Sequence, residues 1–194
     1  MPFVLAPVED VKGPGDFPEY IGAMAATEAA AIARARELWN GQEPGGVLPT
    51  ASQFGIGPLR KNDLSNDATD TAPSGTYTFR RNNTATAWVP VFNYTIRQDM
   101  INFFSGFSIT DDVLRYTQFR MELGSNIFPI FDLQEVQRYK HFAFVIKTDV
   151  GNELVADPKT RVLVRFYVES TGFQRVVPIG GMLYRRKDLV IVET

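Results

Sequence analysis

Cysteine is absent from this chain of 194 residues, and histidine occurs once, at His141. Without cysteine there can be no disulfide framework, thiolate metal site or cysteine nucleophile. A single imidazole excludes every mechanism and metal centre built on two or more histidines. His141 therefore reads as a structural or surface residue, and neither a metal nor a cofactor is expected. Charge of one sign is also scarce: the net charge is -2. Neutralising a phosphate backbone needs a concentrated basic surface, so nucleic acid is disfavoured as a partner. The opening MPFVLAPVED has no basic segment leading into a long apolar one, which argues against a secretory signal. No apolar run approaches the roughly 20 residues that cross a bilayer, so no membrane span is expected and the chain reads as soluble.

Several chemical signatures are missing too. Gly55-Ile56-Gly57 lacks the third glycine of a dinucleotide site, and there is neither a P-loop nor a Gly-x-Ser-x-Gly elbow. Asp63, Ser65, Asp67, Thr69 and Asp70 supply oxygens in the manner of a calcium loop. Counted from Asp63, however, Ala68 and Ser74 stand where an EF-hand needs Gly and Glu, so the match fails.

What is present is unevenly spread. Of 27 Gly and Pro residues, 17 fall in the first 75 positions, whereas 19 of 24 aromatics fall after them. Charge divides at the same place: residues 1–75 hold five Lys or Arg against ten Asp or Glu, and residues 76–194 hold fifteen against twelve. Residues 1–75 accordingly read as an extended arm unsuited to regular sheet, because proline lacks a ladder donor and glycine resists ordering. One helix is predicted within it, over about 27–40. Thr27 would be its N-cap and Gly41 its stop, and Ala31, Ile32, Ala35, Leu38 and Trp39 would form its apolar stripe. A helix of that length is marginal alone in water, so Leu38 and Trp39 should dock on the protein's own sheet or on a neighbouring subunit. The polar stretch 61–75 reads as a linker.

From Thr76 the hydrophobic period becomes two. Strands are predicted at 76–81, 86–97, 100–109, 113–123, 127–133, 141–148, 160–169, 173–179 and 182–192, with a short helix or turn over 133–139 and a break at Asn82-Asn83. In the stretch 161–169, Val162, Val164, Phe166 and Val168 share one face and Arg161, Leu163, Arg165 and Tyr167 the other. In 113–123 neither face is wholly polar, which suggests contact on both. Eight or nine short strands without helical crossovers indicate an all-β antiparallel sandwich or jelly-roll barrel over 76–194.

Arg80, Arg81, Arg161, Arg165, Arg185, Arg186 and Lys187 are interleaved with Tyr77, Phe79, Tyr167 and Tyr184. Arginine and tyrosine anchor protein interfaces, and the acidic arm supplies a mate. Candidate interface residues are Phe3, Phe17, Tyr20, Trp39 and Phe54 on the arm, with Arg161, Arg165, Arg185 and Arg186 on the sandwich.

A Pro/Gly-rich arm with one helix, then a cysteine-free, aromatic-rich antiparallel barrel ending in Lys187-Asp188-Leu189-Val190-Ile191-Val192, resembles the small jelly-roll structural proteins of double-stranded DNA viruses: capsid, penton, decoration and tail-associated proteins. The resemblance lies in overall layout. It implies a non-enzymatic building block, located in the virion after assembly in the host cytoplasm, which joins copies of itself into symmetric oligomers and contacts other virion proteins through its arm. The alternative is a carbohydrate- or receptor-binding sandwich that uses Trp88, Phe103, Phe104 and Phe107 as loop aromatics on a glycan. A third reading is a hydrolase employing Asp111, Asp112, Glu122 or Asp132, which requires two carboxylates across a cleft.

Overall fold

The computed structural model describes residues 4–7, 18–39, 54–59, 79–109, 113–133, 142–147 and 152–185. Two antiparallel sheets face each other across an aromatic core, and one helix lies on the outside of the first. In chain order the elements are β1 (Val4–Pro7), α1 (Pro18–Trp39), β2 (Phe54–Gly57), β3 (Phe79–Asn83), β4 (Trp88–Thr95), β5 (Met100–Ile109), β6 (Tyr116–Leu123), β7 (Asn126–Ile127), β8 (Phe131–Asp132), β9 (Phe142–Lys147), β10 (Val155–Ala156), β11 (Arg161–Val168) and β12 (Gly172–Arg185).

Sheet A runs β1-β9-β5-β12-β2, with β10 beside β5 and β3 beside β12. Sheet B runs β4-β11-β6-β7, with β8 also beside β6. From β3 onward the pairing is nested. β3 pairs with β12, β4 with β11, β5 with β9 and β10, and β6 with its neighbours β7 and β8. The chain thus behaves as one long hairpin doubled at 124–125 and then rolled so that successive rungs alternate between sheets. The turn at its middle suits this: Gly124 has a φ of 62°, a left-handed conformation that glycine adopts without cost.

The core between the sheets is built by alternation. Val162, Val164, Phe166 and Val168 of β11 are wholly buried, as the period-two reading expected. Phe107 of sheet A stacks on Phe92 and meets Phe119 and Phe166 edge-on, with ring centroids 5.6 to 5.9 Å apart, so one ring touches three rings of sheet B. Two polar clasps cross the same interface. The Asn102 side-chain amide donates to the Tyr94 hydroxyl at 2.9 Å, and that of Asn83 donates to the Gly172 carbonyl at 3.2 Å and the Tyr116 hydroxyl at 3.4 Å. These bonds offset part of the penalty of burying the two amides, although the Asn102 Oδ1 is buried with no partner among the described residues.

Several expectations are corrected. The helix begins nine residues earlier than Thr27, at Pro18, whose missing N–H and fixed φ suit a first helical position. Thr27 lies inside it and is buried. Residues 1–75 do contribute to regular sheet: β1 and β2 each pair at an edge of sheet A, where short strands are tolerated. Asn82 and Asn83 continue β3 because both pair with β12. The two final predicted strands merge into the single β12, whose Gly180 makes a bulge instead of a break. There a Cβ would run into the Phe103 carbonyl oxygen, so only glycine fits. On β6 the second face is polar, because an irregularity opposite Tyr167 and Val168 lets Tyr116 turn inward and leaves Gln118, Arg120 and Glu122 outside. Residues 134–139 of the predicted turn and the segment 186–192 lie outside the described residues.

Candidate functional site

Each sheet has an outer face, and the two are finished differently. On sheet A, α1 lays its small residues against the strands. Ala31 and Ala35 are fully buried, and with Trp39 they pack on Phe54, Ile101, Phe103 and Leu183. The expected apolar stripe is therefore correct, and the partner that Leu38 and Trp39 dock on is the chain's own sheet. Alanine sets the spacing: any larger side chain at these two positions would lift the helix off β5. An ion pair locks the arrangement. The Arg34 guanidinium donates to both oxygens of the Asp157 carboxylate, from Nε at 2.9 and 3.2 Å and from Nη2 at 2.7 Å, and from Nη1 to Glu37 at 2.7 Å. The bond to Asp157, and after it the one to Glu37, holds the guanidinium above its already high ordinary pKa. Asp157 follows β10 and sits 123 residues away in the chain, so this pair fastens the N-terminal segment to the sandwich.

Together β1, α1 and β2 form a strap. β1 pairs outside β9 at one edge of sheet A, α1 crosses the face, and β2 pairs outside β12 at the other edge. At the C-terminal end of α1 a cleft of about 460 Å³ opens, lined by Leu38, Trp39, Asp99, Asp157, Lys159 and Arg185 among others. Lys159 holds a left-handed φ of 62°, in the turn that returns the chain to β11.

Sheet B bears no described helix on its outer face. The register arranges its side chains in rows across β4, β11 and β6. Trp88, Tyr167 and Gln118 form one row, Pro90, Arg165 and Arg120 the next, and Asn93, Leu163 and Glu122 a third. Trp88 and Tyr167 meet edge-to-face with centroids 5.6 Å apart. Glu122 lies 3.7 Å from Arg120 and 4.0 Å from Arg165, and Arg161 donates to the Asn93 side-chain oxygen at 3.1 Å. The edge of this sheet at β4 is blunted: Pro90 has no donor, a bulge falls at its pairing with β11, and Arg81 donates to the Pro90 carbonyl at 2.8 Å.

The predicted interface residues fall into three groups. Trp39 and Phe54 are buried in the cluster under α1, with ring centroids 6.2 Å apart, and Arg185 lines the adjoining cleft. Arg161 and Arg165 stand together on the outer face of sheet B. Phe3, Phe17 and Arg186 lie outside the described residues; so does the side chain of Tyr20, whose backbone lies in α1. Of the aromatics assigned to glycan-binding loops, Phe103, Phe104 and Phe107 are instead buried on β5, and only Trp88 reaches the surface. His141, Asp111 and Asp112 lie outside the described residues, and Glu122 and Asp132 are on sheet B. Among the described residues no group of three His, Asp or Glu side chains is placed to hold a metal, and no helix is long and apolar enough to cross a membrane.

Sequence reasoning missed the Arg34–Asp157 pair and the juxtaposition of Arg120 with Arg165. Both join residues far apart in the chain, and no local pattern signals them. No protein-family model matches the chain, no curated protein matches it, and no solved structure matches its fold.

Proposed function

We propose that this chain is a non-enzymatic building block of a virus particle, a jelly roll that associates with copies of itself and with other shell or tail proteins through its N-terminal segment. The nested pairing supports the jelly-roll reading: from β3 onward, the first strand pairs with the last and the second with the next to last, in two sheets that share the strands alternately. The single observation that carries the functional reading is the strap. Its two edge strands and its helix all engage sheet A, so identical contacts can form on the sheet of a neighbouring copy. The 19 residues of 60–78, which join the strap to β3, can span at most about 60 Å at ~3.3 Å per residue. That reach covers an adjacent subunit of this size. An exchanged strap adds cohesion between subunits without enlarging either core, because the surface it buries offsets its own ordering entropy.

Charge reversal tests this directly. Arg34→Asp leaves two carboxylates facing each other at the latch, and Asp157→Arg leaves two guanidiniums. In an exchanged assembly, mixing the two variants pairs Asp with Arg at both latches, whereas in unexchanged chains mixing restores nothing. Light scattering should find a closed oligomer for the unmodified chain, a dissociation constant raised about tenfold or more for each variant, and recovery in the mixture. An unmodified chain that stays monomeric over a hundredfold concentration range would sink the reading.

A further inference from the structure

On the outer face of sheet B, Arg165 stands directly opposite Arg120 across the β11–β6 ladder. Like charges in that relation destabilise a sheet, and here they share one counter-ion. Glu122 is 3.7 Å from the Arg120 Nε and 4.0 Å from an Arg165 Nη, both beyond hydrogen-bond distance. Arg161, two rows further along β11, adds a third cation whose guanidinium donates only to the neutral Asn93 amide oxygen among the described residues. Among the described residues, three planar, fork-shaped donors therefore stand on this face, exposed or half-buried, with one carboxylate between them, and the surplus calls for an anion with two acceptor oxygens.

The adjacent row tells what carries that anion. Two residues along each strand, about 7 Å away, Trp88 and Tyr167 present an aromatic pair in which Trp88 is 37% exposed. Gln118 and, on β8, Asp132 continue the row. A stacking surface, an arginine pair one sugar ring's width from it, and the Gln118 amide able to meet hydroxyls together match an acidic sugar.

We propose that the outer face of sheet B binds a carboxylated oligosaccharide, a chain bearing uronic or sialic acid. The apolar face of a pyranose lies on Trp88, and the sugar carboxylate is held by Arg120 and Arg165. An acidic peptide fits less well, since the β4 edge, where a peptide backbone would find partners, is closed by Pro90 and its bulge. Single-stranded nucleic acid wants successive stacking rings along a basic groove, and the described face offers Trp88 and Tyr167 in one row only. The inference is independent of self-assembly.

The test is calorimetric titration of the full chain with tetragalacturonate and with sialyllactose. Maltotetraose serves as the neutral control, and an octaglutamate peptide and an octathymidylate stand for the two competing classes. At least one acidic sugar should bind saturably, maltotetraose should not, and binding should weaken as salt is raised. Trp88→Ala, at an exposed position, and Arg165→Gln, at a half-buried one on the outer face, should each weaken binding about tenfold or more while leaving the melting transition in place. Arg175→Gln, an exposed charge on sheet A, should change nothing. Three results would each overturn the proposal: no saturable binding of either acidic sugar up to about 10 mM, binding indifferent to both Trp88→Ala and Arg165→Gln, or tighter binding of octaglutamate or octathymidylate.

Discussion

The two outer faces of the sandwich set a surface covered by α1 beside one that no described helix covers, and the contrast begins in the strands. β5 reads Met-Ile-Asn-Phe-Phe-Ser-Gly-Phe-Ser-Ile and is buried along almost its whole length, because its inner residues meet sheet B and Ile101 and Phe103 meet α1. β11 reads Arg-Val-Leu-Val-Arg-Phe-Tyr-Val; Val162, Val164, Phe166 and Val168 are wholly buried, and on the outer face Arg161 is exposed, Arg165 and Tyr167 are half-buried and Leu163 is buried. A strand apolar on both faces needs a cover, and the Ala-rich α1 supplies one thin enough to sit close. A strand whose outer face is mostly polar, with Leu163 as its buried exception, needs less of one. Whether a sheet will be covered can therefore be read from its central strand before the covering element is known.

Four substitutions sharpen the contrast. The largest effect should come from the core that both sheets share: Phe107→Ala removes the ring that meets three rings of sheet B and should cost about 3–5 kcal/mol in denaturant unfolding. Next is the covered face, where Ala35→Leu should cost about 1–3 kcal/mol by overpacking against β5. Hydrogen exchange should then quicken at α1 and at Ile101 and Phe103, with sheet B unchanged. Arg34→Ala should cost about 1 kcal/mol at low salt and less at high salt, since both partners at the latch are about two-fifths exposed. On the open face, Gln118→Glu should shift stability by no more than about 0.5 kcal/mol. A loss on the open face as large as that of Ala35→Leu would show that a further element rests on it.

How much of this was legible in the sequence depended on how local each cause is. β5 was delimited at both ends by composition alone, and β11 to within a residue, because burial on one or two faces writes itself into consecutive side chains. The helix was recognised by its stripe but started too late. Thr27 resembles a cap, yet the position is interior and buried, and the true start rests on Pro18, upstream of the clearest periodicity. Gly180-Gly181 looked like a strand break because the residues that hold β12 straight through it, Phe103 and Phe104, lie on another strand. Phe103, Phe104 and Phe107 were assigned to ligand-binding loops for a similar reason, since an apolar run does not announce what will cover it. The candidate site was the least legible part. Arg161 and Arg165 stood out, but the placing of Arg120 against Arg165 and of Trp88 against Tyr167 depends on strand register across 40 to 80 residues of chain.

The nested pairing also sets an order of events as the protein is made. The turn between β6 and β7 can close as soon as it is synthesised, whereas β3 must wait for β12, whose Gly172 meets Asn83 across 89 residues. Each outer rung closes a longer loop than the one inside it, so folding should proceed from the middle outward and fall on the slow, millisecond-to-second side for a domain this size. The strap belongs to the last stage. Although β1, α1 and β2 are made before the sandwich strands, the sheet they hold is incomplete until β12 has emerged; for that interval the alanine stripe and Trp39 can meet Ile101 and Phe103 of β5 but not Leu183, and β2 has no strand to pair with.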